Sequence, residues 1–310
     1  MKILVTGAAG FIASHVADAY LADGHQVVII DDLSSGKRAN LPAAAKFYNA
    51  DIRSQEAREI VRNERPQVLS HHAAQMDVRR SVADPHFDAE VNVLGTINML
   101  ESGREVGVTK VIFASSGGAV YGEQETFPAA ESHPLYPLSP YGVTKATGEH
   151  YLFYYHAVYG VPYVALRYGN VFGPRQDPHG EAGVIAIFTE RLLAGQVPTI
   201  NGDGKQTRDY VFVGDVVRAN LAALATNFVG PVNIGTGVET DVDALYAHLR
   251  VLTGSPHQAQ HGPAKAGEQR RSVVDIRRAA EVLDWKPEVP LEEGLRRTVE
   301  FFRARMQDGT

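Results

Sequence analysis

Apolar residues in the first half of the chain come in short runs, at 2–6, 26–31, 67–71, 110–115 and 163–167, each bounded by Gly, Pro or polar residues. Continuous runs of this length predict strands buried on both faces, since a strand wetted on one side would alternate apolar and polar positions. Between them, 14–22, 56–64, 88–103 and 141–159 carry apolar positions three and four apart, the spacing of a helix with one covered stripe. The strand-then-helix rhythm predicts an α/β protein: a Rossmann-type, doubly wound parallel sheet with helices on both faces. Beyond about residue 170 the rhythm loosens, and "GNVFGPRQDPHGEAG" and "HGPAKAGEQ" read as loops because Gly and Pro punctuate them. The expected division is therefore a first domain at 1–170 and a smaller C-terminal substrate lobe at 171–310, with 209–224 a candidate return to the first.

Composition narrows what the fold can do. At 310 residues, 44% hydrophobic and 21% charged, the chain has enough apolar material for a large core and is not a disordered polymer. A net charge of −6 leaves no general basic surface, so binding nucleic acid by phosphate neutralisation is not expected. With no cysteine, disulfides, thiolate nucleophiles and Cys-ligated zinc are excluded together. The start "MKILVTG" enters a strand directly and no apolar run is long enough to span a bilayer, so neither a signal peptide nor a membrane segment is expected, and the cytoplasm is the default location. His71, His72 and "HQAQH" at 257–261 lack companion ligands at metal-site spacing; no metal is expected.

Two stretches carry candidate chemistry. In "VTGAAGFIAS", Gly7, Gly10 and Ala13 fall three apart between the first strand and its helix, followed by Phe11 and Ile12 within the turn. Small residues there let the backbone turn tightly and approach a pyrophosphate at a helix N-terminus. The second strand then ends in Asp31 and Asp32, where a carboxylate can accept from ribose hydroxyls and repel a 2′-phosphate, favouring NAD over NADP. In "SPYGVTK", Tyr141 and Lys145 are four apart, and a helix places both on one face.

These features, with "DDLSSG", "ADIR", "HHAAQ", "NVLGT", "FASSGGAVYGE", "LRYGNVFGPRQ" and "TRDYVFVGDV" in order along the chain, resemble the extended short-chain dehydrogenase/reductase family. Within it the likeness is to the UDP-glucose 4-epimerase branch of nucleotide-sugar epimerases. The resemblance implies NAD held by Gly7, Gly10, Phe11, Ile12, Asp31 and Asp32, with Asp51 and Ile52 at the adenine. It places Ala73, Ala74 and Gln75 beside the phosphates and nicotinamide ribose, Asn92 near that loop, and Tyr168 beside the nicotinamide. Tyr141 becomes the base, Lys145 the cation that stabilises its phenolate and binds the ribose, and Ser116 the hydroxyl that orients the sugar, with Ser115 as the alternative because this loop is one residue longer than in many relatives.

For the UDP-sugar, the resemblance implies Asn170 and Arg208 at the diphosphate, Lys265 where relatives have arginine, Glu268 at the uridine ribose, and Ser272 as a small gate that would admit N-acetyl sugars. Dehydratase and decarboxylase relatives add an acid after the active-site hydroxyl; here Gly117, Gly118 and Ala119 follow, which favours epimerisation. A simple NAD-linked dehydrogenase or reductase, or a non-catalytic nucleotide-binding scaffold, are the competing readings. Helices around 88–103 and 141–159 resemble the family's homodimer-forming pair.

Overall fold

The computed structural model describes residues 1–178, 183–264 and 269–307. Six parallel strands, β1 (Lys2–Thr6), β2 (Gln26–Asp31), β3 (Lys46–Asn49), β4 (Val68–His71), β5 (Lys110–Ser116) and β6 (Tyr163–Tyr168), lie in the order β6-β5-β4-β1-β2-β3. The chain then lays down four short strands, β7 (Asn170–Phe172), β8 (Thr199–Asn201), β9 (Thr207–Arg208) and β10 (Tyr210–Phe212), before β11 (Gly230–Ile234) returns to pair with β6 as the seventh strand. Three two-stranded ribbons complete the sheets among the described residues: β7 with β10, β9 with β12 (Thr240–Asp241), and β8 with β13 (Gln260–Gly262). This is the doubly wound Rossmann-type sheet, and winding reverses between β1 and β4, which opens a crevice at their C-terminal ends.

Helices follow from the same pattern. On one face, α1 (Phe11–Ala22) packs Val16, Ala17 and Tyr20 against Ile3, Val5 and Ile29 of the sheet. On the other, α2 (Gln55–Glu64) seats Ala57, Ile60 and Val61 beside Leu4, Val28 and Ile30. After the short α3 (Val78–Ala83), the stretch expected as a helix at 88–103 is helical throughout: α4 (Pro85–Ala89) runs through a π-helical turn at Glu90–Leu94 into α5 (Gly95–Val106). Next, α6 (Pro140–Tyr159) starts where the Ser139 side chain accepts from Gly142 N, with Pro140 in the first turn, and stops at Gly160 in the left-handed region. Gly148 brings α6 close to β5: a Cβ there would lie 2.7 Å from the Phe113 ring.

The later chain divides its allegiance. After α7 (Val184–Leu193), α8 (Val213–Ala225) places Val216, Ala219 and Ala223 in the α1-side core, as does α10 (Arg277–Leu283) with Ala279 and Leu283. A separate core joins α7, α9 (Val242–Thr253) and α11 (Leu291–Gln307) through Phe188, Leu245, Leu249 and Leu295, against Phe172 and Phe212. β11 and α8, the latter within the 209–224 stretch read as a candidate return, thus pack in the central sheet's own layers.

Candidate active site

A cleft of about 350 Å3 runs along the C-terminal ends of β1, β2, β4 and β5. At its floor Gly7 has φ +75°, and a Cβ on it would sit 2.7 Å from Ala73 N, so the β1–α1 turn is pressed against the segment after β4. Gly10 precedes α1 in extended conformation, leaving the helix's first N–H groups facing the turn. Asp31, buried at the tip of β2, accepts from Ala9 N and Leu33 N, both at 2.8 Å, while burial pushes its carboxyl up. Asp32 accepts from Ser34 N and Ser34 Oγ. The guanidinium of Arg53 clasps Asp51 and holds its carboxyl low. Phe11, Ile12, Ile52, Ala73, Ala74 and Gln75 complete this wall.

Asn92 does not line the cleft. Its Oδ1 accepts from Gln75 N at 2.8 Å and its Nδ2 donates to Gln75 O at 2.9 Å, so it splints the loop that does. Tyr168 lines the far end, its hydroxyl accepting from Asn220 Nδ2, and burial raises it.

Tyr141 and Lys145 stand on the first turns of α6, both in the cleft wall. Lys145 is 4% exposed, its Nζ donates to Ala114 O at 2.8 Å, and it lies 5.8 Å from the centre of the Tyr141 ring. Burial pulls this ammonium down to about 8, against the opposing pull of Asp88 and Glu149. His71 and His72 are also pushed down, to about 3, by burial first and the charge of Lys145 second. They are neutral at physiological pH and engaged in hydrogen bonds, His71 to Thr6 and Thr96 and His72 to Ser70. Among the described residues no three His, Cys, Asp or Glu side chains gather as a metal would require.

Two hydroxyls end β5, and alternation separates them. Ser115 contributes to the cleft wall, but its Oγ donates to Glu149 Oε1 at 2.5 Å, and Glu149 is in turn gripped by Arg167 at 2.6 Å. Ser116 is half-buried just beyond that wall, and a Cβ on Gly118 would lie 4.0 Å from Ser116 Oγ and 3.5 Å from Asn170 Oδ1, so these two polar groups converge across one glycine. Arg208, on β9, donates to Thr207 O. Ser272 is enclosed, at 3% exposed, and lies outside the wall of this cofactor cleft. Lys265 and Glu268 lie outside the described residues.

Sequence reasoning missed Glu149, Arg167 and Asp88, all buried and all within reach of this end of the site. A signal existed for two of them: Glu149 is four residues beyond Lys145 on the same helix, and Arg167 is a charge inside an apolar strand run.

Residues 3–235 match the NAD dependent epimerase/dehydratase family. The chain belongs to that family. The UDP-glucose 4-epimerase of Mycolicibacterium smegmatis is 49% identical over 313 residues, covering 99% of this chain and all of the relative. The crystal structure of a UDP-glucose 4-epimerase with UDP-glucose from Thermotoga maritima superposes with a TM-score of 0.97 at 47% identity, covering 99% of this chain and 100% of that one. A Thermus thermophilus UDP-glucose 4-epimerase complexed with NAD superposes at 0.94, with 45% identity over 98% of this chain and 99% of the other. The cleft fits the family's cofactor: the side-chain-free turn at Gly7 leaves backbone N–H groups for a pyrophosphate, and the carboxylate of Asp31 stands at the tip of the adjacent strand for ribose hydroxyls.

Proposed function

We propose that this epimerase/dehydratase family member catalyses 4-epimerisation of UDP-hexoses, interconverting UDP-glucose and UDP-galactose through a transient 4-keto sugar. The observation that carries the reading is the buried Lys145 ammonium beside Tyr141, in the wall of the same cleft that Gly7, Gly10 and Asp31 line. Bound NAD supplies the reversible acceptor for the hydrogen on sugar C4. Tyr141 takes the proton of the C4 hydroxyl and later returns it. An ordinary tyrosine is about 3 pK units too weak an acid for that task near neutrality, roughly 4 kcal/mol, and a cation held within a few ångströms in a poorly solvated site is the means of closing that gap.

Lys145 is fixed for this by its bond to Ala114 O. Ser116 orients the same hydroxyl; Ser115 is committed to Glu149 and is the poorer candidate. Asn170, Arg208 and Lys265 hold the diphosphate and Glu268 the uridine ribose, so the sugar turns about a fixed anchor and presents its other face. Because Gly117, Gly118 and Ala119 supply no acid for elimination, the keto sugar has only the return path.

Incubation with UDP-galactose and NAD, followed by proton NMR, tests the reading. The expected outcome is one equilibrium mixture reached from either sugar with no NADH accumulating, and a loss of about 10^3-fold in Tyr141→Phe. Net NADH formation would make the protein a dehydrogenase, and no conversion would leave a scaffold.

Ser272 offers little bulk, and we infer that UDP-GlcNAc and UDP-GalNAc are also turned over; Ser272→Tyr is expected to suppress the N-acetyl pair selectively, and equal loss for both sugar types refutes the gate. The protein works as a cytoplasmic homodimer in this reading. Leu94, Phe153 and Val158 expose apolar surface along the π-helical turn and α6 at 58%, 61% and 57%, a face suited to a second copy. Light scattering on Phe153→Glu tests it, a monomer being expected.

A further inference from the structure

Asp88, on α4, is fully buried, and its three side-chain partners are neutral donors. Oδ1 accepts from Gln75 Nε2 at 2.9 Å and Asn92 Nδ2 at 3.1 Å, and Oδ2 accepts from Thr144 Oγ1 at 2.8 Å. Gln75 lines the dinucleotide cleft, Asn92 splints Gln75, and Thr144 immediately precedes Lys145 on α6. A carboxylate removed from water costs several kcal/mol unless a countercharge and hydrogen bonds replace its hydration. Three donors meet the second need. The first is offered by Lys145, which is itself buried and follows Thr144 on α6, so that Asp88 acts on it at longer range than a contact ion pair.

Among the described residues, the other charged or titratable groups around Lys145 fit this assignment. Glu149 lies one turn along the same helix and also pulls on Lys145, but it is paired with Arg167 of β6. His71 and His72, from the end of β4, are neutral, with burial as the main cause. Tyr141 is on the same helix face. That leaves Asp88 as the carboxylate near Lys145 without an arginine of its own in these contacts.

We propose that Asp88 is a positioning residue of the active site: it buckles Gln75, Asn92 and Thr144 into one arrangement and supplies the countercharge that keeps Lys145 an ammonium. The inference rests on the Tyr141–Lys145 reading above. A neutral Lys145 cannot stabilise a phenolate, so the buckle links the cofactor-facing loop to the competence of the base.

The test is the pH dependence of turnover of UDP-galactose by the holoenzyme. If Tyr141 must be ionised and Lys145 protonated, the profile is a bell, its acid limb set by the first and its alkaline limb by the second. Removing a nearby negative charge lowers both ionisations, so in Asp88→Asn the bell moves to lower pH, the alkaline limb by roughly one unit. Asp88→Glu keeps the charge and is expected to lose height without moving. A residue that merely fills space would lower the bell in both variants and move neither, and that result overturns the proposal.

Should neither Asp88 variant fold, Thr144→Val loosens the buckle while leaving the charge in place; a lower bell that does not move, as in Asp88→Glu, is expected, and a bell unchanged in height and position counts against the inference. Tyr141→Phe separates this from the parent reading. Undiminished turnover there removes the base itself, whereas an inactive Tyr141→Phe with an unmoved Asp88→Asn bell removes only the countercharge.

Discussion

The dinucleotide end of the cleft and the proposed sugar end are assembled from different parts of the fold. At the first, Gly7, Gly10, Asp31 and Ala73 lie at or just beyond the tips of neighbouring strands of one sheet, with the Gly7 turn against Ala73 and with Ala9 N and Leu33 N on the Asp31 carboxylate. At the second, Ser116, Asn170 and Arg208 sit on strands of three different sheets: β5 of the seven-stranded sheet, and the two-stranded ribbons that hold β7 and β9. Asp209, next to Arg208, fastens these segments: buried, it accepts from Thr236 N, Thr236 Oγ and Gly237 N, while its backbone carbonyl accepts from Asn170 N at 2.7 Å. The first end depends on a few residues at the tips of one sheet; the second depends on partners spread over several. The first end should therefore fail sharply at single positions, and the second by degrees.

Gly7→Ala is the most severe test of that contrast. The new Cβ meets the Ala73 backbone at 2.7 and 2.8 Å, and an alanine at φ +75° is strained before any contact is counted. Affinity for NAD, measured by calorimetry, is expected to fall about 10^3-fold, or ~4 kcal/mol. Retained affinity would show that the turn is not held by the close approach of the two backbones.

Next in size is the pair of β5 hydroxyls. Ser116→Ala is expected to lower kcat about 10^2-fold, the scale for losing one donor at a developing charge. Ser115→Ala should leave turnover within about 5-fold and instead cost ~1 kcal/mol of stability, because it removes a buried hydrogen bond from a Glu149 that Arg167 still neutralises. The opposite ranking would transfer the orienting role to Ser115. Smaller again, Arg208→Ala is expected to raise KM for the UDP-sugar about 50-fold with kcat within about 3-fold, as for binding shared equally by ground and transition states. A parallel fall in kcat would place Arg208 in the chemistry.

The same contrast accounts for what the sequence disclosed. Strands β1, β2 and β4 to β6 were readable because burial on both faces leaves unbroken apolar runs, and the glycine turn was readable because only residues without bulk fit there. β3, "KFYN", escaped notice because an edge strand needs no such run. β11 escaped because nothing local in "GPVNI" says that it will cross back to pair with β6. The π turn within the 88–103 helix goes with Asp88 and Asn92 turning inward to Gln75 and Thr144, tertiary contacts that helical spacing cannot register. Asn92 was assigned to the cofactor by likeness, whereas its bonds make it a splint for Gln75. Asp88 carries no motif at all; only burial without an arginine partner marks it.

Lys145 belongs to both ends of the cleft, and its burial yields the mildest prediction. Burial pulls its ammonium down to about 8 in the folded protein, from 10.5 for an ordinary lysine. Below pH 8 the side chain is protonated in both states, and the folded state bears the full desolvation cost. Between about 8 and 10.5 the folded protein has released the proton and the unfolded chain has not, so the unfolded state binds more protons and stability rises with pH. Relative to Lys145→Met, which has nothing to titrate at this position, the wild type should gain about 2 kcal/mol in denaturant unfolding between pH about 7.5 and 9.5. Asp88→Asn should begin that gain at lower pH, since the ammonium then loses its proton sooner. A difference between wild type and Lys145→Met that stays flat with pH would mean that Lys145 is as well solvated as any surface lysine, and a solvated lysine could not lend the tyrosine enough charge stabilisation to work.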